Sequence, residues 1–466
     1  MDRKREKNEL FQVRIVDMSD TGEGIGKADG FTWFVKDAII GDLVEAKVMK
    51  VKKSYGFARL MQVLEPSPNR VTPRCPVARS CGGCQLQAMS YAEQLRFKEN
   101  KVKNNLLRIG GVDCEECLEP IIGMENPWRY RNKAQFPFGR NKEGKVITGF
   151  YAGRTHTIIE NEDCLLGVPE NARILACIRS HMEEFGIAPY EENTHRGLVR
   201  HVLIRKGFKS GQILVCLVLN GEIKELRSSD ILVKQLLKLF DDSAGEKITT
   251  VVCSINRERT NVILGTEIVN LYGSGSIVDD IGGICYRLSP LSFYQVNPVQ
   301  TERLYETALE YAGLTGVETV WDLYCGIGTI SLFLAQRAQK VCGVEIVPQA
   351  IEDARANAAL NGITNVEFFV GEAEQVLPEQ YEKNNIRADV VVVDPPRKGC
   401  DERCLDTIVR MAPKRVVYVS CDSATLARDL RYLCDRGYEV RRVRCCDMFC
   451  GTVHVEVACC LQRKDL

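Results

Sequence analysis

The sequence predicts an α/β protein whose last part is a doubly wound parallel sheet, preceded by a small closed β-barrel and a β-rich central region. Three observations carry this: strands and helices alternate from about residue 300, short strands punctuated by glycine fill residues 10–64, and a Pro-rich turn separates that stretch from the rest. At 466 residues the chain is too long for a single compact core. Boundaries are expected at 1–65, 66–285 and 286–466.

The first segment contains Phe11 to Val16, Gly22 to Gly26, Phe31 to Val35, Gly41 to Val48 and Tyr55 to Leu60. Five β-rich runs with glycines between them suit a closed barrel, and their order resembles the TRAM domain, an OB-like RNA-binding module. Lys47, Lys50, Lys52 and Lys53 would give it a cationic edge for RNA, or simply a solvated face. Pro66-Ser67-Pro68-Asn69, with Pro73 and Pro76, has turn chemistry that marks the boundary. Tyr91 to Arg108 then has the apolar spacing of a helix, free of breakers before Gly110-Gly111. In the central region Trp128 to Lys133, continuing to Phe136, Phe138 and Arg140, interleaves rings that stack on bases with cations that meet phosphates. A half-buried strand alternates in much the same way.

Cys75, Cys81, Gly82-Gly83 and Cys84 put three thiols on a short glycine-rich loop, and such thiolates suit zinc or an iron–sulphur cluster without the spacing separating the two. Cys114 and Cys117 form a rival C-x-x-C pair, but acidic neighbours and the lack of a second pair nearby make it incidental.

In the last segment Asp322-Leu323-Tyr324-Cys325-Gly326-Ile327-Gly328 falls where a strand turns into a helix, the place where backbone approaches a ligand in open α/β sheets. A dinucleotide fingerprint would require glycine at position 331, where Ser331 stands, so a nicotinamide or flavin redox enzyme is disfavoured. The next strand ends in Glu345, an acid placed to accept hydrogen bonds from both ribose hydroxyls of a nucleoside. The two signals together resemble class I S-adenosylmethionine-dependent methyltransferases. A third strand delivers Asp394-Pro395-Pro396-Arg397, whose prolines stiffen the backbone that presents Asp394. Asp in place of Asn there argues against methylation of an exocyclic amine.

Val416 to Ser420 places Cys421 at the end of a fourth parallel strand, just before a helix opened by Thr425-Leu426-Ala427-Arg428-Asp429. A helix N-terminus stabilises thiolate, so Cys421 is the candidate nucleophile among 21 cysteines, most of which read as small buried apolar residues. Glu456, on the apolar run His454 to Ala458, would be desolvated and its pKa raised to a value useful for proton removal. His454, two residues earlier on the same face, is the alternative base, or orients Glu456, or contacts RNA.

Tyr294 to Asn297, Asp322 to Gly328, Asp394 to Arg397, Ser420-Cys421, Ala424 to Asp429 and Thr452 to Glu456 resemble the RNA 5-methyluridine methyltransferase family over the whole chain. The resemblance implies that Gln295, Tyr324, Glu345 and Asp394 contact S-adenosylmethionine, with Asp394 also near the target uracil. It makes Cys421 the nucleophile that adds to uracil carbon 6, and Glu456 the base that removes the carbon 5 proton. Cys164 is implied as fourth ligand to Cys75, Cys81 and Cys84, holding a [4Fe-4S] cluster that takes no part in methyl transfer. Together the barrel and the four thiols imply 23S ribosomal RNA as partner rather than transfer RNA. Asp422-Ser423 stands where the family has Asn-Pro, and Cys450 where it has Pro.

Composition bounds the remaining possibilities. Apolar residues at 45% and charged residues at 27% are globular values, and 62 basic against 62 acidic residues leave no overall charge to draw in nucleic acid. Met1 to Lys7 lacks the apolar stretch of a secretory signal, and no apolar run is long enough to span a bilayer. A cytoplasmic monomer without a membrane partner is expected, its cysteines serving as thiols or ligands rather than disulfides. A non-catalytic RNA-binding iron–sulphur protein is the alternative, against which intact Cys421 and Glu456 speak.

Overall fold

The computed structural model describes residues 5–240 and 245–464; Met1 to Lys4, part of the leader reading, lie outside them. Two compact units divide the chain. One holds the residues up to Lys101 with Phe150–Ile159 and Phe449–His454, and the other holds Val102–Gly149, Glu160–Met448 and the residues from Val455 onward.

In the first unit the expected five strands close into a barrel. Leu10–Met18 pairs with Gly24–Ala28, then come Phe31–Lys36, Tyr55–Glu65 and Leu43–Val51, which pairs back onto the first. Alternation along the strands sends Phe11, Val13 and Ile15 inward with Trp33, Val35, Val44, Ala46 and Val48. Trp33 fills so much of this core that only glycine fits beside it at position 56, where an added Cβ would lie 2.3 Å from the indole ring. Outside, Phe34, Tyr55 and Phe57 form a ring cluster with centroids 5.5–5.6 Å apart. Lys50, Lys52 and Lys53 are exposed, as a cationic edge requires, and Lys47 is half-buried.

The second unit carries two large sheets. A seven-stranded one is built around Lys133–Arg140, Val199–Lys206, Gln212–Leu219 and Lys247–Ile255. The eight-stranded sheet runs Val366–Val370, Lys340–Glu345, Thr319–Leu323, Val390–Val393, Arg415–Ser420, Glu456–Arg463, Tyr438–Cys446 and Leu118–Ile122. Its first five strands are mutually parallel, and Glu456–Arg463 enters antiparallel between two of the others. Strands Val390–Val393 and Arg415–Ser420 are covered on both faces, which accounts for their unbroken apolar runs.

The helix Tyr91–Arg108 has the limits its sequence predicts. The strand Leu118–Ile122, by contrast, leaves the central region in which its sequence falls and pairs parallel with Tyr438–Cys446 at the edge of the eight-stranded sheet. Its pattern is half-buried and short, so no periodicity in the sequence marks that destination. No described helix is long and apolar enough to cross a membrane.

Gly56→Ala should destabilise the barrel by about 1–3 kcal/mol, because the methyl group overpacks against a ring that has no room to move. Chemical denaturation followed by tryptophan fluorescence measures the effect; an unchanged midpoint would mean that the barrel core is loosely packed.

Candidate active site

The eight-stranded sheet gathers most of the candidate residues along one edge. Thr319–Leu323 leads into Tyr324, Lys340–Glu345 ends in Glu345, Val390–Val393 leads into Asp394, and Arg415–Ser420 leads into Cys421. Register fixes their level: Leu323 pairs with Val393 and Val344, and Val393 pairs with Tyr418. The antiparallel partner supplies the base candidate, since Ser420 pairs with Val457 and leaves Glu456 across from Cys421.

On the donor side, Tyr324, Gly326 and Gly328 all have positive φ, at 68°, 56° and 81°. At Gly328 the tight packing of Phe368 and Ala354, 3.1 and 3.2 Å from an added Cβ, reinforces the choice of glycine. The Glu345 carboxylate accepts from Gly326 N at 3.2 Å and Val347 N at 2.9 Å, which fixes it beside the loop. Asp322 is fully buried; one carboxylate oxygen takes the Ser331 hydroxyl and the other has no protein partner. Burial, opposed by the Ser331 bond and aided by the charges of Asp394 and Glu345, pushes its pKa up to about 7. Gln295 is buried, and its carbonyl receives Asn132 Nδ2 at 3.0 Å.

On the nucleophile side, the helix Ser423–Cys434 organises the loop that follows Asp394. Thr425 Oγ1 donates to the Arg397 carbonyl at 3.1 Å, and Arg428 Nη2 to that of Lys398 at 2.9 Å. Buried Asp429 accepts from Cys400 N at 2.8 Å, from the Tyr418 hydroxyl at 2.6 Å and from Arg428 Nε at 2.8 Å. Asp422 caps the helix, accepting from Ala424 N and Thr425 N at 3.0 and 3.1 Å. Asp therefore does the capping work at the position where the related pattern has Asn.

That cap alters the expectation for Cys421. Its carboxylate takes the first amides of the helix, and the thiol is pushed up to about 11 by burial and by the charges of Glu456 and Asp394, with Arg397 opposing. A thiol so shifted favours its neutral form. Glu456 is 3% exposed, and burial, then the charge of Asp394, raises its pKa to about 8, again against Arg397. Burial raises Asp394 to about 7. Arg397 acts on both the thiol and Glu456.

His454 does not share the strand with Glu456. The strand begins at Glu456, and His454 lies before it in the first unit, its ring 6.1 Å from that of Phe449. Cys75, Cys81 and Cys84 also belong to the first unit and Cys164 to the second. Gly83 N donates to Cys81 Sγ at 3.4 Å, and Cys81 bridges to Ala152, so the glycine-rich loop is folded tightly. Among the described residues no group of three or more His, Cys, Asp or Glu side chains stands ready to hold a metal ion.

Three contributors were not singled out from the sequence. Ser331, which in the sequence marks only the absence of a glycine, is the hydroxyl that satisfies one oxygen of Asp322. Arg397 has no role legible in its motif. Tyr305, buried on the helix Pro298–Ala312 with its hydroxyl on Thr329 Oγ1 at 3.0 Å, lies within the field of Asp394, Asp322 and Glu456, and nothing in its helical pattern announces this.

Residues 209–464 match the tRNA (uracil-5-)-methyltransferase family, and residues 4–61 match the TRAM domain. An uncharacterized RNA methyltransferase of Halalkalibacterium halodurans is 50% identical over 98% of both chains, and one of Clostridium tetani is 49% identical over 97% of this chain and 95% of that one. Among solved structures, the Pyrococcus abyssi tRNA (uracil-54, C5)-methyltransferase in complex with S-adenosyl-L-homocysteine superposes with a TM-score of 0.76 at 25% identity. That likeness covers 96% of this chain and 99% of the other.

Two buried carboxyl groups, Asp322 and Glu456, and the half-buried Asp394, all with raised pKa values, make stability depend on pH in a definite direction. The folded chain holds protons on Asp322, Asp394 and Glu456 that the unfolded chain releases near pH 4, so stability present in acid is lost as pH rises toward about 8. Glu456→Gln should flatten this loss. Denaturation midpoints of the ligand-free protein at about pH 6 and 8.5 measure it; identical pH dependence in parent and variant would show that Glu456 titrates normally.

Proposed function

The chain belongs to the tRNA (uracil-5-)-methyltransferase family, RNA methyltransferases that act on uracil carbon 5, and from that premise we propose that it methylates a uridine of 23S ribosomal RNA through Cys421 and Glu456. The observation that carries this reading is the register that faces Cys421 with Glu456 at the edge where Asp394 and the glycine loop also end.

S-adenosylmethionine, when bound, supplies an electrophilic methyl group. The residues present suit it. Glu345 is fixed where ribose hydroxyls would be read, the loop from Tyr324 to Gly328 lets backbone come close, and the unpartnered oxygen of Asp322 awaits a donor. Gln295, Tyr324 and Asp394 complete the proposed contacts.

Cys421 Sγ adds to uracil carbon 6, and its proton passes to the Asp394 carboxylate, whose raised affinity for protons suits that task and leaves Glu456 free to ionise. The carbon 5–carbon 6 π electrons move onto the ring as an enolate, whose carbon 5 would take the methyl group as the donor's S–CH3 bond breaks and its sulphonium becomes a neutral thioether. Glu456, ionised, then removes the carbon 5 proton; the double bond re-forms and the Cys421 sulphur leaves as thiolate. Arg397 steadies negative charge on Cys421 and Glu456.

A second reading, a uridine of transfer RNA, is favoured by the near-complete overlap with the archaeal tRNA enzyme, which extends through the barrel. Methyl transfer measured in parallel on unmodified 23S transcript and on unmodified tRNA separates the two. The [4Fe-4S] reading of Cys75, Cys81, Cys84 and Cys164 is independent of this chemistry. Iron and acid-labile sulphide in the cluster's ratio on anaerobically purified protein would support it, and their absence would leave the thiols without a metal.

RNA carrying 5-fluorouridine should stall as a covalent adduct at Cys421, because fluorine cannot be removed as a proton is; Cys421→Ala should give no adduct. Glu456→Gln should slow turnover by about 10²–10⁴ while still forming the methylated adduct. Turnover of the parent should rise with pH up to about 8, as Glu456 ionises. Denaturing electrophoresis and single-turnover kinetics check these outcomes, and adduct formation by Cys421→Ala would refute the assignment.

A further inference from the structure

Lys133 and Arg205 are directly opposed in the antiparallel strands Lys133–Arg140 and Val199–Lys206, so their side chains share one face of the seven-stranded sheet. Arg205 is 1% exposed; its Nη2 donates to the Ser292 carbonyl at 2.7 Å, while Nε and Nη1 meet no acceptor. The hydroxyl of Tyr294, 2% exposed and close enough for its charge to act on Arg205, is also without a partner. Lys133, half-buried beside them, takes part in no ion pair among the described residues. Burial, then the charges of Arg205 and Arg131, holds its ammonium down to about 8, and burial brings Arg205 down to about 10.

Opposed like charges destabilise a strand pair, and a buried cation without an anion costs more. The neighbouring Lys206 shows the usual solution, with Glu170 at 2.7 Å and Glu246 at 3.3 Å. No carboxylate plays that part for Lys133 and Arg205. Their place is also informative: Asn132, one residue before Lys133, donates its backbone N–H to Val296 O at 2.8 Å and Nδ2 to Gln295 O at 3.0 Å. The unmatched cations thus adjoin the segment that bears Gln295.

We propose that Lys133, Arg205 and Tyr294 form an anion subsite that takes a backbone phosphate of the substrate RNA close to the target uridine. This rests on the RNA-methylation reading. Three buried donor groups without a partner, Arg205 Nε and Nη1 and Tyr294 Oη, together with the adjacent Lys133 ammonium, suit the two non-bridging oxygens of a phosphodiester. The strand also belongs to the stretch from Trp128 to Arg140, where rings and cations alternate as RNA contact requires.

The test uses the full chain and the variants Lys133→Met, Arg205→Met and their combination. Inorganic phosphate should raise the melting temperature of the parent and not of the double variant. Affinity for a single-stranded RNA of about 20 nucleotides should fall roughly tenfold for Lys133→Met, with the slope of log affinity against log salt reduced by about 1. Affinity for S-adenosylhomocysteine should stay the same. Unchanged RNA affinity and salt slope would overturn the proposal. So would a loss confined to S-adenosylhomocysteine, which would assign the cations to the donor's carboxylate, or a fall in the melting temperature of ligand-free Arg205→Met, which would make the guanidinium structural. If the binding results hold while no RNA is methylated, the subsite stands and the methylation reading fails.

Discussion

One buried carboxylate holds the nucleophile and target sides of the candidate site in register. Asp429 ties together the strand that ends in Cys421, through the Tyr418 hydroxyl, and the loop that follows Asp394, through Cys400 N. Arg428 balances its charge and anchors Lys398 at the same time. Three satisfied bonds make the burial of this charge tolerable, whereas removing any one would leave an unpaired charge in the core. Gly399 shows how closely the parts fit, because an added Cβ would lie 2.5 Å from Arg428 Nη2 and 2.6 Å from Asp429 Oδ2. Cys421, Asp394 and Arg397 therefore keep a fixed relation that the sheet alone would not enforce.

Within that frame the site is acidic and poor in cations. Asp322, Asp394 and Glu456 have raised proton affinities, and the Cys421 thiol is neutral at rest. A protein that stored a thiolate here would need a cation or free helix amides, but Asp422 occupies the amides and Arg397 is exposed. In the proposed mechanism charge is instead created when the substrate ring arrives to share it, which would limit reaction with other electrophiles.

Much of this could be read from the sequence because function sits at strand ends, and strand ends are marked by local chemistry. Glycines with positive φ, the two prolines after Asp394 and the acid ending the next strand are short-range signals, and each of these residues sits at the edge of the sheet. The alternation in the barrel was equally plain, since one buried face imposes a period of two. What the sequence withheld depends on distant partners. Leu118–Ile122 joins a sheet whose other strands come some 200 residues or more later. The proton affinity of Cys421 depends on its burial and then on Glu456 and Asp394, and that of Asp322 on its burial, opposed by Ser331, a residue that in the sequence marks only the absence of a glycine. The placement of His454 failed for a similar reason: alternation continued past the true start of the strand.

The insertion of Glu456–Arg463 between Arg415–Ser420 and Tyr438–Cys446 has a kinetic corollary. In chain order this strand follows every other strand of its sheet, yet it occupies an interior position. A chain emerging from the ribosome must leave that slot open, with the edges of two long strands exposed, until the strand arrives to close it. Glu456 therefore enters last, in the same event that completes the core, and a molecule that has not finished folding holds Cys421, the proposed nucleophile, without the carboxyl group that faces it.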